Sequence, residues 1–343
     1  MSKKFNVAIV GATGFVGQAA LSILEKRQFP VKNLYLLASE RSAGETRCFN
    51  KQSLIVSELL EFDFKLADIV LFTAGAAISA QYVPLATQSG CLVIDNTPQF
   101  RYDDDVPLVI PEVNPGALAG YKKRHIIANP NCSTIQMLVA LKPIYDAVGI
   151  TRINVVTFQS VSGAGKAAFN ELIHQAGQLL NGLPIKKPEV FAQQIAFNVI
   201  PHIDDFQENG YTREEMKMVW ETQKIFADKK IQVNPTAVRV PVLHGHSEAV
   251  HIETQKKISV SRAKQLLKKA PGVIVIDKTG KNAYPTPILH QEQDKVMVGR
   301  LREDISHPLG LDMWIVADNI RKGAALNAVQ IAELLGRRHL KKG

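Results

Sequence analysis

Residues 5–10, FNVAIV, run directly into Gly11-Ala12-Thr13-Gly14-Phe15-Val16-Gly17 and from there into an apolar helical period at Ala20, Ile23 and Leu24. No other stretch limits the fold so strongly. Glycines in GxxGxxG spacing between a buried strand and a helix let the backbone approach a pyrophosphate, whose charge meets the unpaired N–H groups of the helix N-terminus. The spacing is a variant of the dinucleotide-binding fingerprint, and its place on the first strand strengthens that reading. A second strand at 34–37 ends in Ala38-Ser39-Glu40-Arg41-Ser42, where the adenine ribose of a bound dinucleotide belongs. Ser39, Arg41 and Ser42 suit a 2′-phosphate. Glu40 would instead suit the ribose diol of a non-phosphorylated cofactor, and an ordinary polar loop is the plainer alternative.

Strand patterns recur at 69–73, leading into Ala74-Gly75-Ala76, and at 92–95. Strands alternating with helices predict an α/β fold with a parallel sheet wound on both faces. Cys91 opens an apolar strand and reads as structural. The acidic run Asp103–Asp105 reads as a solvated turn. Arg101, on a loop, is a candidate anion ligand or a plain surface arginine.

The stretch Asn129-Pro130-Asn131-Cys132-Ser133-Thr134 carries a cysteine out of a turn into a helix whose apolar positions are Ile135, Leu138, Val139, Leu141 and Ile144. Ser133 or Thr134 is expected to cap that helix. A thiol at a helix N-terminus has its pKa lowered, which makes the nucleophilic thiolate available near neutral pH. A small buried residue beside a turn is the alternative. Beyond it, a strand at 153–158 enters a second glycine turn, Gln159 to Gly165, and then a helix from Lys166. Residues 176–209 read as an irregular excursion, possible ground for a dimer contact. Thr212 and Glu215 form a capping box for the next helix. Strands at 238–242 and 249–253 flank His244-Gly245-His246-Ser247-Glu248, which reads as a hairpin-like turn and not as a zinc motif. A helix at 261–269, strands at 273–277 and 296–300, and a helix at 319–335 that packs back on the nucleotide-binding part complete the chain.

At 343 residues and 46% hydrophobic, the chain is long enough for two domains. Three scattered cysteines make no disulfide framework, no CxxC pair suggests zinc, and no stretch has membrane-spanning length, so a cytoplasmic enzyme is expected. The net charge of +9 is dispersed. Its densest clusters, Lys122-Lys123-Arg124 and Arg337-Arg338 with Lys341-Lys342, lack interleaved aromatics and accompany no recognition motif, so nucleic acid and membrane partners are not expected.

Taken together, GATGFVG at 11, ASERSAG at 38, DNTPQFR at 95, DVPLVIPEVN at 105, NPNCST at 129, QSVSGAGKAA at 159, EEMK at 214, VRVPVLHGHSE at 238 and ADNIRKGAALNAVQIAELL at 317 resemble the aspartate-semialdehyde dehydrogenase family over essentially the full length. The resemblance implies a Rossmann-type NADP-binding domain, residues 1–129 plus 319–343, and an α+β catalytic and dimerisation domain, residues 130–318. It implies interconversion of L-aspartyl 4-phosphate and L-aspartate 4-semialdehyde with NADP(H) and phosphate, on the way to lysine (through diaminopimelate), threonine and methionine, by a homodimer.

By the same resemblance Cys132 is the nucleophile that forms a thioester, which splits a difficult exchange into two easier steps. His246 carries the proton, within histidine's natural range. Gln159 orients substrate near the thiol, Arg239 grips the α-carboxylate, Glu214 pairs with the α-ammonium and Asn131 lines the substrate site. Arg101 and Lys217 bind phosphate. Gly11, Ala12, Thr13, Gly14, Phe15, Val16, Ala38, Ser39, Arg41, Ser42, Thr73, Ala74 and Gly75 contact NADP, and Ser162, Gly163 and Asn319 its nicotinamide half. N-acetyl-glutamyl-phosphate reductase shares the fold and the thioester chemistry, but its cysteine motif differs from NPNCST. A non-catalytic relative would be expected to lack one of Cys132, Gln159, Arg239 and His246, all of which are present.

Overall fold

The computed structural model describes residues 4–278, 283–288 and 293–338; Lys341 and Lys342 of the C-terminal basic cluster lie outside them. The chain forms two compact units, residues 1–130 with 324–343, and residues 131–323.

The first unit is built on a seven-stranded sheet. In chain order its strands are β1 (Phe5–Val10), β2 (Val31–Ala38), β3 (Thr46–Phe49), β4 (Gln52–Glu58), β5 (Ile69–Phe72), β6 (Leu92–Asp95) and β7 (Ile126–Ala128), arranged β3-β4-β2-β1-β5-β6-β7. Neighbours run parallel except β3, which is antiparallel to β4. Because β1 lies between β2 and β5, the chain reverses its winding direction there, and the Gly11 turn and the Thr73–Gly75 loop leave the sheet at that switch point, where α/β sheets bind ligands. The hairpin of β3 and β4 is absent from the sequence expectation. Its two-residue turn, Asn50-Lys51, has φ of 48° and 65°, a left-handed pair that usually advertises itself with glycine.

Helix α1 (Phe15–Lys26) and the last helix, α7 (Leu326–Arg338), share one apolar core with the sheet. Leu326, Val329, Ile331 and Leu335 meet Leu21, Leu24 and Ile9 there. Arg27 holds Glu333 through two parallel hydrogen bonds of 2.7 and 2.8 Å. The α-helix expected from residue 319 begins only at Leu326, since Arg321–Ala325 form a wider π turn.

The second unit contains a six-stranded sheet in the order β11-β12-β13-β10-β8-β9. The strands are β8 (Ile150–Gln159), β9 (Gln232–Arg239), β10 (His246–Thr254), β11 (Val273–Val275), β12 (Val296–Glu303) and β13 (Gly310–Ala317). Here two expectations fail. β9 ends at Arg239, where a strand at 238–242 was expected, and β9 and β10 form no hairpin because both pair with β8, in parallel and antiparallel respectively. Pro235 inside β9 hid the strand; it is tolerated because β9 is the sheet edge.

Helices α3 (Cys132–Val148), α5 (Arg213–Phe226) and α6 (Val260–Lys269) pack on this sheet. Helix α4 (Lys166–Leu180) gathers the irregular segment that follows it. Glu171 accepts the N–H groups of Glu189 and Val190, and Gln175 those of Ile195 and Ala196, so side chains replace a ladder for backbone that has none. Among the described residues no helix is long and apolar enough to cross a membrane.

Glu248 on β10 is wholly buried near Gln136 of α3. Burial holds its carboxyl well above the usual carboxylate range, and the Gln136 amide offsets this only in part. The folded state therefore binds this proton more tightly than the unfolded chain does. The resulting stability is complete below the unfolded pKa and is lost as pH rises through the folded one. Glu248→Gln, a neutral isostere, should flatten this dependence, so that its urea midpoint gains on wild type more at pH 8 than at pH 5. An equal midpoint shift at both values would contradict the assignment.

Candidate active site

Helix α3 starts at Cys132 because Asn131 caps it, its Oδ1 accepting from the N–H groups of Ser133 at 3.0 Å and Thr134 at 3.3 Å. Ser133 and Thr134, expected as caps, lie inside the first turn. Asn131 is pinned from behind as well. Its N–H donates to Glu221 at 2.7 Å and its Nδ2 to Glu214 Oε1 at 2.9 Å. Cys132 is half-buried at the positive end of α3, the setting that favours a thiolate. Cys91 contrasts with it. Its buried thiol donates to the Phe64 and Ala67 carbonyls, and burial, with Asp68 and Asp63 nearby, pushes its pKa up to about 11.

Around Cys132 the second unit assembles a dense polar cluster. Gln159, the last residue of β8, donates to Ser133 Oγ at 3.1 Å and to Glu214 Oε1 at 3.1 Å. Glu214 and Lys217 occupy adjacent turns of α5, and Lys217 Nζ donates to Glu214 Oε2 at 2.9 Å. Burial raises the carboxyl pKa of Glu214, but the Lys217 ammonium and the Asn131 and Gln159 amides outweigh it and hold it near 2. Arg239, the last residue of β9, is buried with Nη1 donating to the Ser160 carbonyl at 2.7 Å. Burial opposes its charge, while Glu214 and Cys132 support it.

His246 is wholly enclosed. The Ser160 backbone N–H donates to its Nδ1 at 3.1 Å, so that nitrogen carries no proton and the neutral ring bears its hydrogen on Nε2. Burial first, and the Arg239 guanidinium second, pull its pKa down to about 3. At neutral pH the ring is an uncharged imidazole with a donor ready, so the near-neutral titration expected of His246 gives way to burial and the neighbouring guanidinium. Gly163 keeps space open beside it: a Cβ there would lie 3.1 Å from Arg239 Nη1 and 3.2 Å from His246 Nε2.

Asn319, expected beside a nicotinamide, braces this loop. Its Oδ1 accepts from the Gly245 N–H at 2.9 Å and from Ser160 Oγ at 3.2 Å, and its Nδ2 donates to Ser162 Oγ at 3.1 Å. His244 tilts against Phe169, and among the described residues no three His, Cys, Asp or Glu side chains are placed to hold a metal. Sequence reasoning missed Ser160, which sets the His246 tautomer, and Glu221, which holds Asn131. It also missed Gly323, where a Cβ would lie 2.8 Å from that of Cys132. Glu221 carries no sequence signal beyond proximity to Glu214, whereas Ser160 stood in the quoted QSVSGAGKAA segment. Gly323 stood in the quoted ADNIRKG segment.

In the first unit, Gly11, Thr13, Ala38, Ser39 and Ala74 line a cleft of about 510 Å³ together with Glu40, Glu58 and Tyr82. Arg41 and Ser42 occupy the single turn of 3₁₀ helix, Glu40–Ser42, with the Arg41 side chain exposed. The cleft, the glycine turn and the N-terminus of α1 fit a dinucleotide. Arg101 is buried, its Nη2 donating to the Asn96 carbonyl at 3.0 Å.

A doubly wound nucleotide-binding unit, and a second unit in which a buried imidazole, a guanidinium and a helix-borne thiol converge, define the class of a nicotinamide-nucleotide-dependent dehydrogenase. Residues 6–121 match the family model "Semialdehyde dehydrogenase, NAD binding domain", and residues 141–322 match "Semialdehyde dehydrogenase, dimerisation domain". An aspartate-semialdehyde dehydrogenase of Legionella pneumophila is 62% identical over 343 residues, covering 100% of this chain and 99% of the relative. A crystal structure of aspartate semialdehyde dehydrogenase II from Vibrio cholerae, complexed with ASA, superposes with a TM-score of 0.97 at 57% identity, over 98% of this chain and 100% of the other. The Candida albicans enzyme with NADP gives 0.74 at 26% identity, over 97% and 98%. The chain belongs to the aspartate-semialdehyde dehydrogenase family.

Proposed function

We propose that this chain catalyses the reversible, NADPH-dependent reductive dephosphorylation of L-aspartyl 4-phosphate to L-aspartate 4-semialdehyde, in the cytoplasm, as a step of amino-acid biosynthesis. The observation that carries the reading is the Cys132 thiol at the Asn131-capped start of α3, grouped with a neutral His246 and a buried Arg239. The Cys132 thiolate attacks the acyl carbon and the C–O bond to phosphate breaks, leaving a thioester and free phosphate. Gly11, Thr13, Ala38, Ser39 and Ala74 of the first unit would hold NADPH, which would supply a hydride to the thioester. His246 Nε2–H donates a hydrogen bond to the oxygen that becomes negative and holds its charge until the hemithioacetal C–S bond breaks, releasing the aldehyde and the Cys132 thiolate. Arg239 binds the α-carboxylate and Glu214 the α-ammonium; Gln159 aligns the carbonyl, Asn131 lines the substrate site, and Arg101 and Lys217 receive phosphate. Ser162, Gly163 and Asn319 border the nicotinamide. The match of residues 141–322 to a dimerisation domain supports a homodimer.

The test follows cofactor reduction by L-aspartate 4-semialdehyde with and without inorganic phosphate, using NADP and NAD, in wild type and Arg41→Ala. Activity should require phosphate and favour NADP. Arg41→Ala should raise the KM for NADP roughly tenfold and leave that for NAD unchanged, since an exposed guanidinium on a 2′-phosphate contributes less than a buried one. Phosphate-independent turnover would refute the reaction. Equal loss with both cofactors would refute the role of Arg41.

A further inference from the structure

Lys217 stands between two carboxylates. Its Nζ donates to Glu214 Oε2 at 2.9 Å and to Asp204 Oδ2 at 2.7 Å, one ammonium against two negative charges. Both carboxylates hydrogen-bond the ammonium, and the Arg239 guanidinium is coupled to Glu214 as well, so an anion can pair with Lys217 only by taking the place of one of its two carboxylate partners. Glu214 is the fixed one. It is buried, and its other oxygen is held by both Asn131 and Gln159. Asp204 is the movable one. It lies on the irregular segment ahead of α5, and its side chain is 27% exposed against 7% for Glu214. Among the described residues its Oδ1 is engaged only locally, by the N–H of the next residue, Asp205, at 2.9 Å. The backbone of Asp204, with φ 69°, is in the left-handed region that Asp and Asn adopt more readily than most residues.

We propose that Asp204 is a placeholder for phosphate: its carboxylate occupies the Lys217 ammonium while no anion is bound, and must swing away before a phosphoryl group can pair there. Such a residue keeps the ammonium charged and oriented in the empty site. It also sets a threshold, because an anion has to out-compete a carboxylate, which a phosphate dianion does better than a monoanion. The inference rests on the assignment of Lys217 to phosphate.

Asp204→Asn removes the charge and retains both the shape and the left-handed backbone. In the semialdehyde-oxidising direction its KM for inorganic phosphate should fall roughly three- to tenfold, with kcat and the KM for semialdehyde within about twofold of wild type. In the reductive direction the KM for the acyl phosphate should fall as well, which separates a site for the phosphoryl group in general from one for free phosphate alone. A phosphate KM that is unchanged or raised in Asp204→Asn would overturn the proposal, since a residue that merely positions Lys217 would weaken phosphate binding when neutralised. Lys217→Met, measured in parallel, should raise the phosphate KM at least about tenfold. If it does and Asp204→Asn lowers nothing, the placeholder fails and the Lys217 assignment stands. If Lys217→Met leaves the phosphate KM unaltered, both fall.

Discussion

Cys132→Ala is expected to lower turnover by at least about a thousandfold while the protein folds and binds NADPH as wild type does, because the thioester route has no substitute nucleophile. The folding half of this expectation comes from the cap. Asn131 satisfies the N–H groups of Ser133 and Thr134 whatever stands at position 132, so α3 starts in the same place without the thiol. Cys91 cannot take over, since its thiol is buried, neutral and already donating to two carbonyls. Steady-state assays and mass spectrometry of protein quenched with acyl phosphate check both halves. The adduct should map to Cys132 in wild type and be missing from the variant. Substantial residual turnover, or an adduct on Cys91, would end the proposed route.

Arg239 and His246 should separate kinetically. In the proposed mechanism the buried Arg239 guanidinium binds a carboxylate present in ground state and transition state alike. Arg239→Lys, which keeps the charge and loses the planar fork, should therefore raise the substrate KM about ten- to a hundredfold with a smaller change in kcat. On the same proposal His246→Gln removes the donor that meets the developing oxyanion and should lower kcat by about a hundredfold or more with little change in KM. A pH signature accompanies this. Burial and the Arg239 charge hold the His246 pKa near 3, so the neutral ring persists through the range where an ordinary histidine titrates, and kcat/KM in the free enzyme should show no acid limb near pH 6.5. The reverse split between KM and kcat, or an acid limb near pH 6.5 that vanishes in His246→Gln, would contradict the geometry.

The parts of the fold that could be read in advance share a physical cause. FNVAIV and the glycine turn after it announce themselves because both a buried strand and a close backbone approach leave a residue-type signature. The Thr212 capping box is equally local and forms as written, Thr212 Oγ accepting from Glu215 and Glu215 reaching back to the Thr212 N–H. β9 was misjudged since a proline argues against a strand until its place at the sheet edge is known. The route of residues 240–245 across β8 has no local signature at all. Within the site, the residues that the resemblance singled out, Cys132, Gln159, Glu214, Arg239 and His246, could be listed in advance, but not what restrains them. A backbone N–H choosing the tautomer of His246, or Asp204 sharing Lys217 with Glu214, depends on folding that joins distant segments.

The first unit is built from two stretches of chain separated by the whole of the second unit, and this determines what each part can do when cut from the rest. Leu326, Val329, Ile331 and Leu335 belong to the same core as Ile9, Leu21 and Leu24, although almost two hundred residues of the second unit intervene in sequence. The second unit is one continuous stretch and carries its own sheet. A fragment of residues 1–130 alone would expose the apolar side chains that α7 covers, whereas joining that fragment directly to residues 324–343 would restore every segment of the first unit's core.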